Sequence, residues 1–144
     1  MVQRFTLVCT SHLYLERNDQ ILLLRRFNTG YEDGKYSMVA GHFDGNETSR
    51  ECMVRETFEE AGIIVQPTDL EIVHVMHRKA LDERVDFFLK AKRWSGEPKI
   101  IEPNKCDDLS WFDLNDLPQN LVPYVDHAIK CIQKRTYYSE FGWK

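Results

Sequence analysis

Apolar residues recur along this chain with two different periods. From residue 5 to 15 they follow an approximate period of two (Phe5, Leu7 and Cys9, then Leu13 and Leu15), the pattern of a half-buried strand. The turn chemistry of Arg17-Asn18-Asp19-Gln20 and the apolar run 21–24 that follows predict a long hairpin. Residues 27–35 hold Asn28, Gly30, Asp33 and Gly34 and read as a loop, and 36–40 read as a short strand ended by Gly41. The period then lengthens. After Asp44-Gly45-Asn46, Thr48 or Ser49 is suited to cap a helix running to Ala61, with Gly62 as its stop. Strands return at 63–65, 70–78 and 84–94, with Leu81-Asp82-Glu83 as a polar connection between the last two. Pro98 and Pro103 bracket an irregular stretch before a strand at 109–114. Leu121, Val125, Ala128, Ile129 and Ile132 then fall at helical spacing over 121–134, with Pro123 in the first turn, where its missing N–H is tolerated. Six or seven strands and two helices in this mixed order predict an α+β fold or an α/β/α sandwich, not a regular doubly wound sheet.

Composition narrows the partners. The 144 residues show no internal repeat or linker, so a single domain over 1–144 is expected, long enough to bury a core unaided. The formal charge of −4 argues against a broad grip on long nucleic acid, which needs clustered Lys and Arg. The longest apolar runs, 21–24 and 62–65, fall far short of the roughly 18 residues of a membrane span, so neither membrane association nor a secretory leader is expected. Cys9, Cys52, Cys106 and Cys131 form no CxxC pair and no zinc spacing, which fits reduced thiols and a cytoplasmic protein.

The helix at 48–61 carries the chemistry. Glu56, Glu59 and Glu60 stand at i, i+3 and i+4 and share one stripe, while Val54, Phe58 and Ala61 are expected to form the buried face. Like charges at this spacing repel by a few tenths of a kcal/mol per pair, and more when partly buried, so the stripe calls for a cation. Oxygen-only ligands suit Mg²⁺, with Mn²⁺ as a substitute.

These glutamates do not stand alone. Gly41, Glu47, Arg55, Glu56, Glu59, Glu60, Gly62 and Ile63 reproduce the spacing G-x5-E-x7-R-E-U-x-E-E-x-G-U, where U is a bulky aliphatic. This resembles the Nudix box, the signature of the Nudix hydrolases. At ordinary residue frequencies the seven fixed positions would match by chance on the order of once in a million such chains. Two positions depart from the usual pattern: Thr57 replaces an aliphatic, and Ala40-Gly41 replaces the more frequent Gly-Gly. The resemblance extends to a Nudix-type α/β/α sandwich with a mixed sheet and two main helices.

That resemblance implies metal-assisted attack of water on phosphorus in a nucleoside diphosphate linked to another group. It makes Glu56 and Glu60 the principal metal ligands, Glu59 a further ligand or the group that polarises water, and the Ala40 carbonyl a neutral ligand. Arg55, about 100° around the helix from Glu56, is expected to reach Glu47 and fix the loop. Glu102 matches an additional carboxylate of the family that serves as ligand or base. Arg25 and Arg26 are candidates for the phosphates, and Tyr31 and Tyr36, with Phe27, for stacking a base. His42 adjoins the box, whereas His74 and His77 read as structural. Missing family markers point toward a MutT-like enzyme that converts a nucleoside triphosphate, ordinary or oxidised, to the monophosphate and pyrophosphate. No Pro stands near 77–78, no Tyr at 79–81, and the SQPFPxPxS tract is absent. The alternatives are an ADP-ribose or nucleotide-sugar pyrophosphatase and a non-catalytic nucleotide-binding module. A small nucleotide is the expected partner, in a monomer or homodimer, and the aromatic tail Tyr137, Tyr138, Phe141 and Trp143 is expected to pack against the domain or a second subunit.

Overall fold

The structure, a computed structural model, describes residues 2–144. The described residues form β1 (Val8–Tyr14), β2 (Glu16–Arg17), β3 (Gln20–Arg26), β4 (Tyr36–Ser37), β5 (Ala40–His42), α1 (Ser49–Ala61), β6 (Leu70–Lys79), β7 (Glu83–Ala91), β8 (Cys106–Asp113), α2 (Pro123–Gln133) and β9 (Tyr138–Phe141). A five-stranded sheet runs β5-β1-β7-β6-β9, with β1 and β7, and β6 and β9, parallel and the other pairs antiparallel. In a second, antiparallel sheet β3 pairs with β2, β4 and β8. The five-stranded sheet is the expected mixed sheet, with α1 and α2 packed on its opposite faces, and the antiparallel sheet is an addition to it.

Strand alternation divides the core. Leu13, Leu22, Leu24 and Leu89 pack with Met53 of α1, whereas Tyr14, Ile21, Leu23 and Phe88 pack with Val125 and Ile129 of α2. The run Ile21–Leu24 is continuously apolar because it feeds both clusters.

Several expected elements shift. The hairpin is confined to β2 and β3, turned by Asn18 and Asp19 with φ of 53° and 61°, while β1 leaves to pair with β5 and β7. The strand read at 36–40 splits into β4 and β5, one in each sheet. Residues 63–65 keep only an isolated bridge, Ile64 to Ser95. β8 starts three residues before the expected 109, and the tail adds β9 beside β6.

α1 begins with a capping box: Thr48 accepts from the Glu51 N–H and the Glu51 carboxylate from the Thr48 N–H. It ends where Gly62, at φ 69°, donates to the Phe58 carbonyl. Its buried stripe is Cys52, Met53, Thr57 and Ala61, rotated from the expected one, so that Phe58 is 58% exposed. Thr57 keeps the core position with its hydroxyl unpaired among the described residues. None of the described helices is long and apolar enough to cross a membrane, and all four cysteines are free.

Candidate active site

The rotation of α1 decides what its glutamates face. Glu56 and Glu60 border the buried stripe and turn toward β5, whereas Glu59 is 54% exposed. The Ala40 N–H donates to Glu60 Oε1 at 3.0 Å. Gly41 lies so close to Glu56 that a Cβ would overlap its Cδ, Cγ and Oε1, so only glycine leaves the Glu56 side chain where it stands. The Cys52 thiol, 3.6 Å from the carbonyl oxygens of Gly41 and His42, tethers the same strand from below.

Arg55 organises the entrance to α1. It reaches Glu47 as expected, with Nη2 donating to Oε1 at 2.7 Å and Nε to Oε2 at 3.2 Å. It also does more than the helical wheel allowed: Nη1 donates to Glu56 Oε1 at 2.6 Å and lies 3.5 Å from Glu59 Oε2, while Nη2 donates to the His42 carbonyl. A long flexible stem covers the 100° between neighbouring positions. Arg55 and the Asp44 N–H hold the Glu47 carboxyl down at about 2.

The two inward carboxylates behave differently. Burial pushes Glu56 up against the pull of Arg55. Burial pushes Glu60 further, to about 8; the Ala40 N–H opposes this, and the neighbouring Glu56 and Glu102 add to it. No cationic side chain forms an ion pair with Glu60 among the described residues. Nor do three His, Cys, Asp or Glu side chains there already surround one point as metal ligands, because Arg55 stands between Glu56 and Glu59. The donor set nevertheless fits a hard divalent ion: Glu60 is a buried carboxylate lacking a counter-charge, and Glu56 and Glu102 lie close enough to raise its pKa. What the structure shows of Ala40 here is its amide, bonded to Glu60.

The carboxylates open onto a cleft of about 680 Å³. Glu102 lines it, as do Arg26 and Tyr31; the Arg26 Nε–H donates to the Tyr31 carbonyl at 2.7 Å, and its guanidinium lies 5.3 Å from the Tyr31 ring centroid. Arg25 and Tyr36 stand outside the cleft. The Arg25 Nε–H donates to Asp107 at 2.7 Å, and Tyr36 is buried in the second core with its hydroxyl donating to Asp108. A register shift in the β3–β8 ladder between Arg25 and Arg26 separates the two arginines.

The cleft floor went unrecognised in the sequence. Thr10 and His12 of β1, Arg78 of β6 and Tyr124 of α2 line it. Behind them Asp86 accepts from Arg78 Nε at 2.7 Å and contacts His12 Nε2 at 3.0 Å. Burial alone would raise the Asp86 carboxyl, but His12 and Arg78 outweigh it and hold the group at about 2. The available signal was His12, Arg78 and Asp86 standing beside apolar residues in three strands, and β pairing across 74 residues hid the convergence of His12 with Asp86. Arg84, bonded to Asp82 and 3.3 Å from His42 Nε2, and Lys105 supply further charge at the cleft wall.

A mixed five-stranded sheet between two helices, with box carboxylates gathered at its β5 edge, defines a class of fold and site together. The sequence matches the NUDIX domain over residues 7–133, and the chain belongs to the Nudix family. It is 31% identical over 109 residues to the NAD-capped RNA hydrolase NudC of Pseudomonas putida (strain W619), a match covering 71% of this chain and 35% of that protein. The chain thus spans about a third of the length of such curated relatives. Among solved structures, the MutT NUDIX hydrolase from Burkholderia pseudomallei superposes with a TM-score of 0.80 at 27% identity, covering 88% of this chain and 98% of that one. The MutT protein from Methanosarcina mazei Go1, at 16% identity and a TM-score of 0.77 over 92% and 97% of the two chains, shares the fold.

Proposed function

We propose that the chain is a divalent-metal-dependent pyrophosphohydrolase that cleaves a phosphoanhydride of a nucleoside triphosphate, ordinary or oxidised, to the monophosphate and pyrophosphate. The supporting observation is Glu60: a buried carboxylate without a cationic partner, beside Glu56 and Glu102, at the foot of a cleft whose other walls carry Arg26, Arg84 and Lys105. Nudix hydrolases generally require a divalent metal. Glu56 and Glu60, with Glu59 and the Ala40 carbonyl, would hold Mg²⁺ or Mn²⁺, which supplies neutralisation of the phosphate charge and activation of water. Arg55 positions Glu56 and ties it to Glu47; Glu102 orients or accepts a proton from water; Arg26 and Lys105 bind phosphate oxygens; Tyr31 offers a ring to a base.

A second reading is favoured by the 31% identity to a protein named as an NAD-capped RNA hydrolase: the bond cut is a pyrophosphate joining two nucleosides, free or at the end of an RNA. The net charge of −4 speaks against a grip along an RNA and not against recognition of its capped end. With either substrate, the reading is of a cytoplasmic protein acting as a monomer or homodimer.

Turnover of nucleoside triphosphates, oxidised triphosphates, ADP-ribose, NAD and NAD-capped RNA, with Mg²⁺ or Mn²⁺, discriminates these readings. Glu56→Gln and Glu60→Gln should each lower kcat at least a hundredfold with the fold intact, and chelation by EDTA should abolish turnover. Wild-type turnover in either variant rejects the ligand assignment, and inactivity on every substrate rejects the enzyme in favour of a binding module.

A further inference from the structure

The cleft floor holds polar groups that the fold itself does not use. Thr10 is 5% exposed and His12 1%, yet Thr10 Oγ1 and His12 Nδ1 have no hydrogen-bond partner among the described residues. Unpaired polar atoms withdrawn from water are costly, and native structures retain few of them without a reason. These two share one face of β1, two residues apart, and both residues line the cleft.

Their neighbours fix what they offer. Asp86 is an acceptor toward His12 Nε2, so the hydrogen-bond network assigns the proton to Nε2 and leaves Nδ1 as an acceptor. Stacking on Phe88, with ring centroids 4.6 Å apart, holds the imidazole in place. Arg78 spends Nε and Nη2 on Asp86 and lies 3.7 Å over the Tyr124 ring, while its Nη1 makes no hydrogen bond among the described residues. The floor therefore presents a fixed donor (Arg78 Nη1), a fixed acceptor (His12 Nδ1) and a hydroxyl that is either (Thr10). Asp86 balances the arginine charge, which makes this a neutral recognition surface and a poor phosphate clamp. In the β1–β5 register His12 is paired with Ala40, so the surface begins one strand from the carboxylate edge and continues away from it.

We infer that Thr10, His12 and Arg78, organised around Asp86, form a specificity subsite for the nucleoside end of the substrate, taking a nucleobase edge on which an N–H stands beside a C=O or a ring nitrogen. The subsite rests on the proposed nucleotide function and extends it by naming what reads the base.

Thr10→Val tests it with little risk to the fold, because the hydroxyl it removes bonds nothing in the protein. Wild type, Thr10→Val and Thr10→Ser are titrated calorimetrically with AMP, GMP, CMP, UMP and ribose 5-phosphate, and each protein is melted without ligand. In wild type at least one nucleotide binds more tightly than ribose 5-phosphate. Thr10→Val weakens that nucleotide on the order of tenfold and leaves ribose 5-phosphate unchanged, while Thr10→Ser restores the preference. Thr10→Val melts no lower than wild type. Equal binding of all ligands by wild type, a preference that survives Thr10→Val, or an equal loss for ribose 5-phosphate overturns the subsite. Because binding is the readout, a protein that shows the base preference and hydrolyses nothing keeps this subsite and loses the proposed activity; hydrolysis without a Thr10-dependent preference does the reverse.

Discussion

Gly41 offers a direct test of how β5 and α1 set the carboxylate geometry. A methyl group built there overlaps Glu56 Cδ, which must retreat by about 1.5 Å to reach a normal carbon–carbon separation. The glutamate is a flexible side chain and can move, so Gly41→Ala is expected to fold. Its retreat breaks the 2.6 Å contact from Arg55 Nη1 and displaces a side chain only 14% exposed, a loss of about 1–2 kcal/mol of stability. Function should suffer more, because a displacement of this size in a positioned group costs on the order of a hundredfold in rate. Thermal unfolding, kcat with Mg²⁺ and Mn²⁺ affinity by electron paramagnetic resonance read the three effects separately. A variant that melts a few degrees lower, binds Mn²⁺ at least tenfold more weakly and loses about a hundredfold in kcat agrees with the geometry. Wild-type kcat together with wild-type Mn²⁺ affinity would refute the role given to Glu56, since the clash leaves its carboxylate no way to stay in place.

Three further outcomes follow from other parts of the molecule. Arg55→Gln removes the links to Glu47, Glu56 and the His42 carbonyl and should lower kcat at least tenfold, with Glu47→Gln milder; steady-state kinetics that leave Arg55→Gln at wild-type kcat refute its positioning role. His12 and Arg78 hold Asp86 at about 2, below the ordinary carboxylate value of 3.8, so its contribution of about 2 kcal/mol is fully present above that ordinary value and is lost as pH falls through 2. Denaturant unfolding at pH 6 and pH 3 should show about half of that loss in wild type, on top of the acid destabilisation it shares with Asp86→Asn, which starts several kcal/mol less stable because Arg78 loses its counter-charge; equal pH slopes overturn the linkage. Removing residues 137–144 strips β9 from β6, the Trp143 Nε1–H bond to the His77 carbonyl and the Phe141 packing. Roughly 2–4 kcal/mol should go with them, lowering Tm by about 10 °C, and an unchanged Tm shows the tail to be dispensable.

How much of this was readable in the chain depended on the range of the interactions. Thr48, Glu51 and Gly62 bound α1 by contacts within a few residues, and the box spacing marked its acidic stripe. The face that α1 buries was misread, because Val54 and Phe58 are more apolar than Thr57 while tertiary packing selected Met53, Thr57 and Ala61. The strand at 36–40 looked continuous because nothing local records that Met38 and Val39 cross between two sheets. Alternation warned that Arg25 and Arg26 would part, and only the irregular β3–β8 register shows which of them enters the cleft. The floor was illegible for the same reason: His12, Arg78 and Asp86 meet only after β1, β6 and β7 are side by side.

The charges around the cleft divide into those the fold satisfies and those it leaves open. Glu47 is ionised and paired with Arg55, Asp86 is ionised and paired with Arg78 and His12, and both carboxyls lie near 2. Glu60, withdrawn from water at the foot of the cleft, lies near 8 with one backbone N–H and two neighbouring carboxylates for company. A fold that supplies two acidic groups with cations has the means to supply a third, and Arg26, near enough to lower Glu60, is instead tied to the loop through the Tyr31 carbonyl and Thr29. The open position is the one flanked by Ala40, Glu56 and Glu102, which is where an exogenous cation gains most from binding: it takes the place of the Glu60 proton, offsets the neighbouring carboxylates and presents positive charge to a polyphosphate. Added Mn²⁺ should therefore raise the Tm of wild type at pH 8 by several degrees and that of Glu60→Gln by little. A metal-induced shift of the same size in both proteins would place the cation elsewhere.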